Sequence, residues 1–169
     1  MKTFKLIAIL SLMVLLINGC GNSANSVNSV KGATLSGREQ TTVGNAFDAF
    51  FNESSWELKE SANKTQFVEF TGKTKEQVPF NVGGLPVDGE GVLVIPEGGN
   101  VMVQFILKID GTFEIGNVEA TIKANPSLSE RTAMIVRGSI TRQGIKTDGS
   151  TLSIQGEFLN AFLDRIYSN

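Results

Sequence analysis

The chain has 169 residues, 41% of them apolar and 19% charged. That excludes a wholly disordered polymer and leaves room for one domain of ordinary size. Histidine is absent and cysteine occurs once, at Cys20, which excludes His-ligated metals, cysteine clusters, internal disulfides and catalytic histidines. The formal charge is −2, and removing Lys2 and Lys5 with a leader makes the remainder more acidic. Neither nucleic acid nor anionic lipid is then an expected partner by charge.

Residues 1–20 read MKTFKLIAILSLMVLLINGC. Lys2 and Lys5 are basic, and Leu6 to Ile17 is apolar apart from Ser11. The run is too short for a stable bilayer-spanning helix, which needs ~20 residues. With its basic flank it reads as a secretion signal. Ile17-Asn18-Gly19-Cys20 resembles the lipobox of bacterial lipoprotein precursors. The resemblance implies a diacylglyceryl thioether on Cys20, cleavage between Gly19 and Cys20, and a palmitate-type acyl chain on the new amine. Two chains anchor a protein stably. Gly21, where an aspartate implies inner-membrane retention, points to the outer membrane of a Gram-negative envelope. The expected organisation is a signal over 1–19, a lipidated cysteine with a flexible tether over 20–40, and a single α+β domain over 41–169.

Gly21 to Gln40 is rich in Asn, Ser and Gly, the composition of a flexible coil, with Val27, Val30 and Leu35 able to pair as an edge strand. Val43, Phe47, Phe50 and Phe51 form one helical stripe over Thr42–Phe51, with Thr42 as N-cap. Ser55–Glu60 and Thr65–Thr71 alternate as a β-hairpin around Ser61-Ala62-Asn63-Lys64. The glycine-rich insertion at 73–100 carries Pro79, Pro86 and Pro96 and predicts loops around one short strand, Gly91–Ile95. Val101–Ile109 and Thr112–Lys123 are the longest expected strands, joined by a two-residue Asp110-Gly111 turn. Gly116-Asn117 marks a bulge. Ser127-Leu128-Ser129-Glu130 has the form of a capping box, with Gly138 as a stop; Met134-Ile135-Val136 argues for a strand instead. Asp148-Gly149 is a further turn, and Gln155–Tyr167 is an amphipathic closing helix. The fold class is therefore α+β, an antiparallel sheet of about 4–6 strands with N-terminal and C-terminal helices packed on one face.

The candidate chemistry is thin. Phe70-Thr71-Gly72-Lys73-Thr74 has the tail of a phosphate-binding loop, but its first glycine position holds Phe67, so no nucleotide is expected. Ser61-Ala62-Asn63-Lys64 fits the Ser-x-x-Lys form of serine enzymes, but the companion motifs are missing. Asp88, Asp110 and Asp148 precede glycine as turn residues do, and none begins a calcium loop. Asp48, Glu53, Glu57 and Glu69 have the spacing of solvated faces. Trp56 and Tyr167 each occur once and are weak interface candidates; Leu58 on the same strand face favours a core role for Trp56. No cofactor, metal or catalytic residue is expected.

Thr42-Val43-Gly44-Asn45-Ala46-Phe47-Asp48, Trp56, Val68-Glu69-Phe70-Thr71-Gly72, Val103-Gln104-Phe105, Gly111-Thr112-Phe113-Glu114 and the closing Ile166-Tyr167 together resemble small bacterial lipoproteins of unassigned role. That implies a shared α+β fold and no catalytic set. The expected function is non-catalytic: a lipid-anchored envelope protein binding a protein or envelope polymer. Alternatives are a small-molecule or lipid-binding module with a pocket between helices and sheet, or an inhibitor of a host hydrolase using the 73–100 stretch.

Overall fold

The computed structural model describes residues 21–80, 93–124, 148–154 and 157–168. Among them are three helices, α1 (Gly21–Gly32), α2 (Val43–Phe50) and α3 (Glu157–Tyr167). Seven strand segments are β1 (Phe51–Glu60), β2 (Gln66–Thr74), β3 (Val78–Phe80), β4 (Leu93–Ile95), β5 (Asn100–Leu107), β6 (Phe113–Ala124) and β7 (Asp148–Ser153). All their pairings are antiparallel, in the order β1-β2-β5-β6-β4-β3 with β7 on β6. The class is α+β. The leader with Gly19 and Cys20, and the 127–138 segment, lie outside the described residues.

The 73–100 stretch differs from the sequence expectation. Lys73 pairs with Asn100 and Val78 with Ile95, so both sides advance by five residues and register is kept. Between them Thr74 N–H donates to Gly99 O at 3.1 Å and Gly98 N–H to Thr74 O at 2.8 Å. β2–β3 and β4–β5 are thus the two arms of one long hairpin. It was illegible because Pro96 has no N–H to give a ladder. Val94 pairs with Lys123 and Val101 with Ala120, so four more residues lie on the first strand than on the second. Pro96–Gly99 is looped out to absorb them, and buried Thr74 secures the loop through Oγ1 to Pro96 O at 2.6 Å. Among the described residues the sheet is in effect a meander, each arm pairing with the next in sequence.

Two of the hairpins share one turn. Ser61 N–H donates to Thr65 O and Lys64 N–H to Ser61 O; Lys108 N–H donates to Thr112 O and Gly111 N–H to Lys108 O. Each loop therefore has three residues, the last in the left-handed region, with φ 68° at Lys64 and 83° at Gly111. This is a type I turn closed by a bulge, not the two-residue Asp110-Gly111 turn expected. Asp110 accepts from the Thr112 hydroxyl and amide, and those bonds hold its carboxyl below the usual range. The bulge expected at Gly116-Asn117 is present, since Val103 faces Val118 while Phe105 faces Ile115. Asp148-Gly149, expected as a turn, opens β7 instead, with Asp148 paired to Lys123.

α2 begins on the Thr42 cap, whose Oγ1 accepts from Asn45 N–H at 3.3 Å. Its buried stripe is Val43, Phe47 and Phe50; Phe51, expected on the same helix, is instead its extended C-cap and opens β1. The Phe47 ring lies 4.9 Å from Phe70 and 5.7 Å from each of Phe51, Trp56 and Phe105. In α3, Phe162, Leu163 and Ile166 are buried, and Phe162 sits 6.3 Å from Phe51.

The flexible tether over 20–40 is corrected in part. Gly21–Gly32 is helical, with Val30 fully buried and Val27 packed on the core. Its Asn, Ser, Val and Gly residues sum to roughly 6 kcal/mol of unfavourable helix propensity relative to alanine. Docking, not composition, makes this helix. Arg38 then ties the following segment to α3 through Asp164 Oδ1 at 2.5 Å and the Asn160 carbonyl at 3.3 Å.

The twin turns make a direct comparison. Lys64→Gly should raise the unfolding free energy by about 0.5–1 kcal/mol, since a left-handed non-glycine residue costs ~1–2 and glycine's extra backbone freedom returns part of it. Gly111→Ala should lower it by about 1 kcal/mol for the same reason. Urea unfolding measures both, and equal effects of one sign would contradict the assignment.

Candidate functional site: the outer face of the sheet

Alternation along β2, β5 and β6 sends Phe70, Val103, Phe105, Val118 and Ala120 into the core and their neighbours to the opposite face. On that outer face one row runs across four strands: Thr71 opposite Met102, Met102 opposite Glu119, Glu119 opposite Ser153. Beside it Lys73 faces Asn100, and Thr121 faces Thr151. Of these, Thr71, Lys73, Asn100, Met102, Glu119, Thr121 and Thr151 line an open groove of about 410 Å³.

Glu53 forms the rim. Asn52 faces Lys73 while Ser55 faces Thr71, so β1 carries one extra residue there, and Glu53 stands at φ 52°. The bulge brings Glu53 within 2.6 Å of Lys73 Nζ. Bulges re-aim side chains in this way, and a non-glycine residue in the left-handed region marks a position worth a functional test. Of the lining residues, Glu119 accepts through Oε1 from Asn117 Nδ2 at 2.7 Å, and Asn117 Oδ1 in turn accepts from Ser153 Oγ at 3.1 Å. Hydroxyls, an amide, a thioether and one ion pair suit the binding of a polar surface. They supply no activated nucleophile.

Phe70–Thr74 lies wholly inside β2. Gly72 faces the core, where a Cβ would stand 2.9 Å from Phe51 Cβ; it is glycine for packing, not for a phosphate. Ser61–Lys64 is a turn, its Ser61 hydroxyl bonded to the Thr65 carbonyl at 3.0 Å. The four carboxylates each have a basic partner: Asp48 with Lys31, Glu53 with Lys73, and Glu57 and Glu69 with Lys59. The hydrogen bond from Lys59 to Glu69 raises the lysine pKa.

Trp56 and Tyr167 lie away from the groove. Trp56 joins the core rings, 4.8 Å from Phe70, and its indole N–H donates to Asp48 Oδ1 at 3.1 Å. Lys31 Nζ lies 5.2 Å over the same indole. The space between α2 and the sheet is thus filled by rings, which weighs against an apolar ligand pocket there. Tyr167 packs against the core from α3, its hydroxyl buried without a partner. Burial pushes that phenol up to about 12, with Arg38 opposing. The Arg38 Nε is likewise buried without a partner.

Thr71, Lys73, Asn100, Met102 and Glu119 were missed by sequence reasoning. Polar residues at every second position were the available signal, but that pattern marks any solvated strand face. Comparison with protein-family models, curated proteins and solved structures finds no match.

A buried hydroxyl without a partner costs ~1–3 kcal/mol, so Tyr167→Phe should leave stability unchanged or raise it by up to about 1 kcal/mol. Its pH signature has a fixed sign. The folded state holds the phenol proton more tightly than the unfolded chain, so this contribution is intact below pH 10 and is lost as pH rises towards about 12. Alkaline urea titrations of Tyr167→Phe should lack that part of the decline.

Proposed function

We propose that this is a lipid-anchored protein of the bacterial envelope that binds a protein or envelope polymer on the outer face of its sheet, without catalysis. The observation that carries the binding role is the groove. A concavity of mixed polar and apolar lining across the strands has Glu53 turned into its rim by a bulge and paired to Lys73. The anchor rests on Ile17-Asn18-Gly19-Cys20 behind a short apolar run with basic flanks. Cys20 carries the lipid, and the chain is cut after Gly19. The outer membrane is the favoured location because Gly21 follows the cysteine. With α2 and α3 on the apolar face, the polar face is, among the described residues, left to a partner. Anchoring concentrates the domain at the membrane, so weak contacts in the groove suffice.

Mass spectrometry of the protein from its native envelope should find an acylated Cys20 at the N-terminus, and Cys20→Ser should abolish membrane partitioning. Crosslinked capture with Met102→Arg, which places a large cation in the groove, should lose the partners held by the wild type while circular dichroism stays unchanged. Identical partner profiles for the two proteins would remove the groove from the reading.

A further inference from the structure

α1 differs from the other two helices in what holds it. Over residues 23–32, where burial is described, its covered face is Ser23, Ser26, Val27, Val30 and Lys31, and only Val30 is fully buried. Firm attachments stand at its C-terminal end. Lys31 binds Asp48 Oδ2 at 2.8 Å and lies over Trp56, whose N–H holds the other Asp48 oxygen. Beyond Gly32 the chain is pinned independently of α1. Val43 N–H donates to Ala33 O at 2.8 Å, and Arg38 is tied to Asp164. Gly32 between them is exposed, and a methyl group there would have nothing within 4 Å. α1 docks because Gly44 lets it approach: a Cβ there would meet Lys31 Cβ at 2.9 Å and Lys31 O at 3.0 Å.

We infer that α1 is a releasable strap, opening at Gly32 as a unit while the sheet, α2 and α3 stay folded. Its Asn, Ser and Gly residues hold no helix once Val30, Lys31 and the Trp56 shelf are lost. Closed, its 12 residues span about 18 Å at ~1.5 Å per residue. Open, the same segment extends to roughly 40 Å at ~3.3–3.6 Å per residue. Where Cys20 is lipidated, a consequence that rests on the anchor proposed above, the strap gives the domain two reaches above the membrane. Opening also bares the indole of Trp56.

Hydrogen exchange with mass readout on the full lipidated chain, in phosphatidylethanolamine–phosphatidylglycerol vesicles, tests the strap. Wild-type amides in α1 should exchange more slowly than the free peptide 21–32 but at least about 100-fold faster than those of β2, the mark of a separately opening unit. Gly44→Ala should bring α1 to the free-peptide rate and leave β2 unchanged, because alanine suits α2 better than glycine does. Lys31→Ala, which loses an ion pair and a cation–π contact, should speed α1 exchange up to about tenfold. Exchange of wild-type α1 in step with β2, or at the free-peptide rate, would overturn the proposal. Cys20→Ser separates it from the anchor: a strap that opens there, alongside native protein without lipid, sinks the anchor alone.

Discussion

The ring of Phe47 is the contact on which the rest of the fold depends. It stands at the centre of Phe51, Trp56, Phe70 and Phe105, which come from the first strand and from two strands of the sheet interior. Through Trp56 and Asp48 the cluster reaches Lys31 on α1, and through Phe51 it reaches Phe162 on α3. Each aromatic side chain buries 150–250 Å², so a short helix of eight residues commands much of the core. Because the large apolar groups gather on one face of the strands, the opposite face is free to be polar, and the groove follows from the same alternation that builds the core.

Those dependences explain what could be read from the sequence. The α2 stripe, the Thr42 cap, the first hairpin, the Gly116-Asn117 bulge and the closing helix each announce themselves within a dozen residues, because capping, periodicity and turn chemistry are local. The long hairpin does not. Its second arm is interrupted by Pro96–Gly99, and only the register of Lys73 with Asn100 and Val78 with Ile95 shows the two arms to be continuous. α1 was hidden for the opposite reason, since its composition is that of a coil and its helicity comes from a socket built by α2 and β1. In both cases tertiary contacts override local propensity.

The groove was illegible in a stronger sense. Thr71, Met102, Glu119 and Thr151 are far apart in the chain and meet only through three strand pairings. Glu53 reaches the rim only because one extra residue is lodged in β1. Trp56 and Tyr167, the aromatics that rarity brought forward, are both committed to packing: one in the ring cluster under Lys31, the other on α3 with its hydroxyl buried. Single occurrence is a property of the count, while accessibility depends on the fold.

The central claim is that one aromatic hub holds the helices to the sheet, and Phe47→Ala tests it most directly. Urea unfolding of the full chain should show a loss of about 3–5 kcal/mol, the range for removing a buried phenylalanine, which is a large share of the ~5–15 kcal/mol typical of a domain. Thr71→Ala in the groove, an exposed position, should change stability by no more than ~0.5 kcal/mol. A loss below about 1 kcal/mol for Phe47→Ala, or one no larger than that of Thr71→Ala, would show that the helices are held to the sheet by something else.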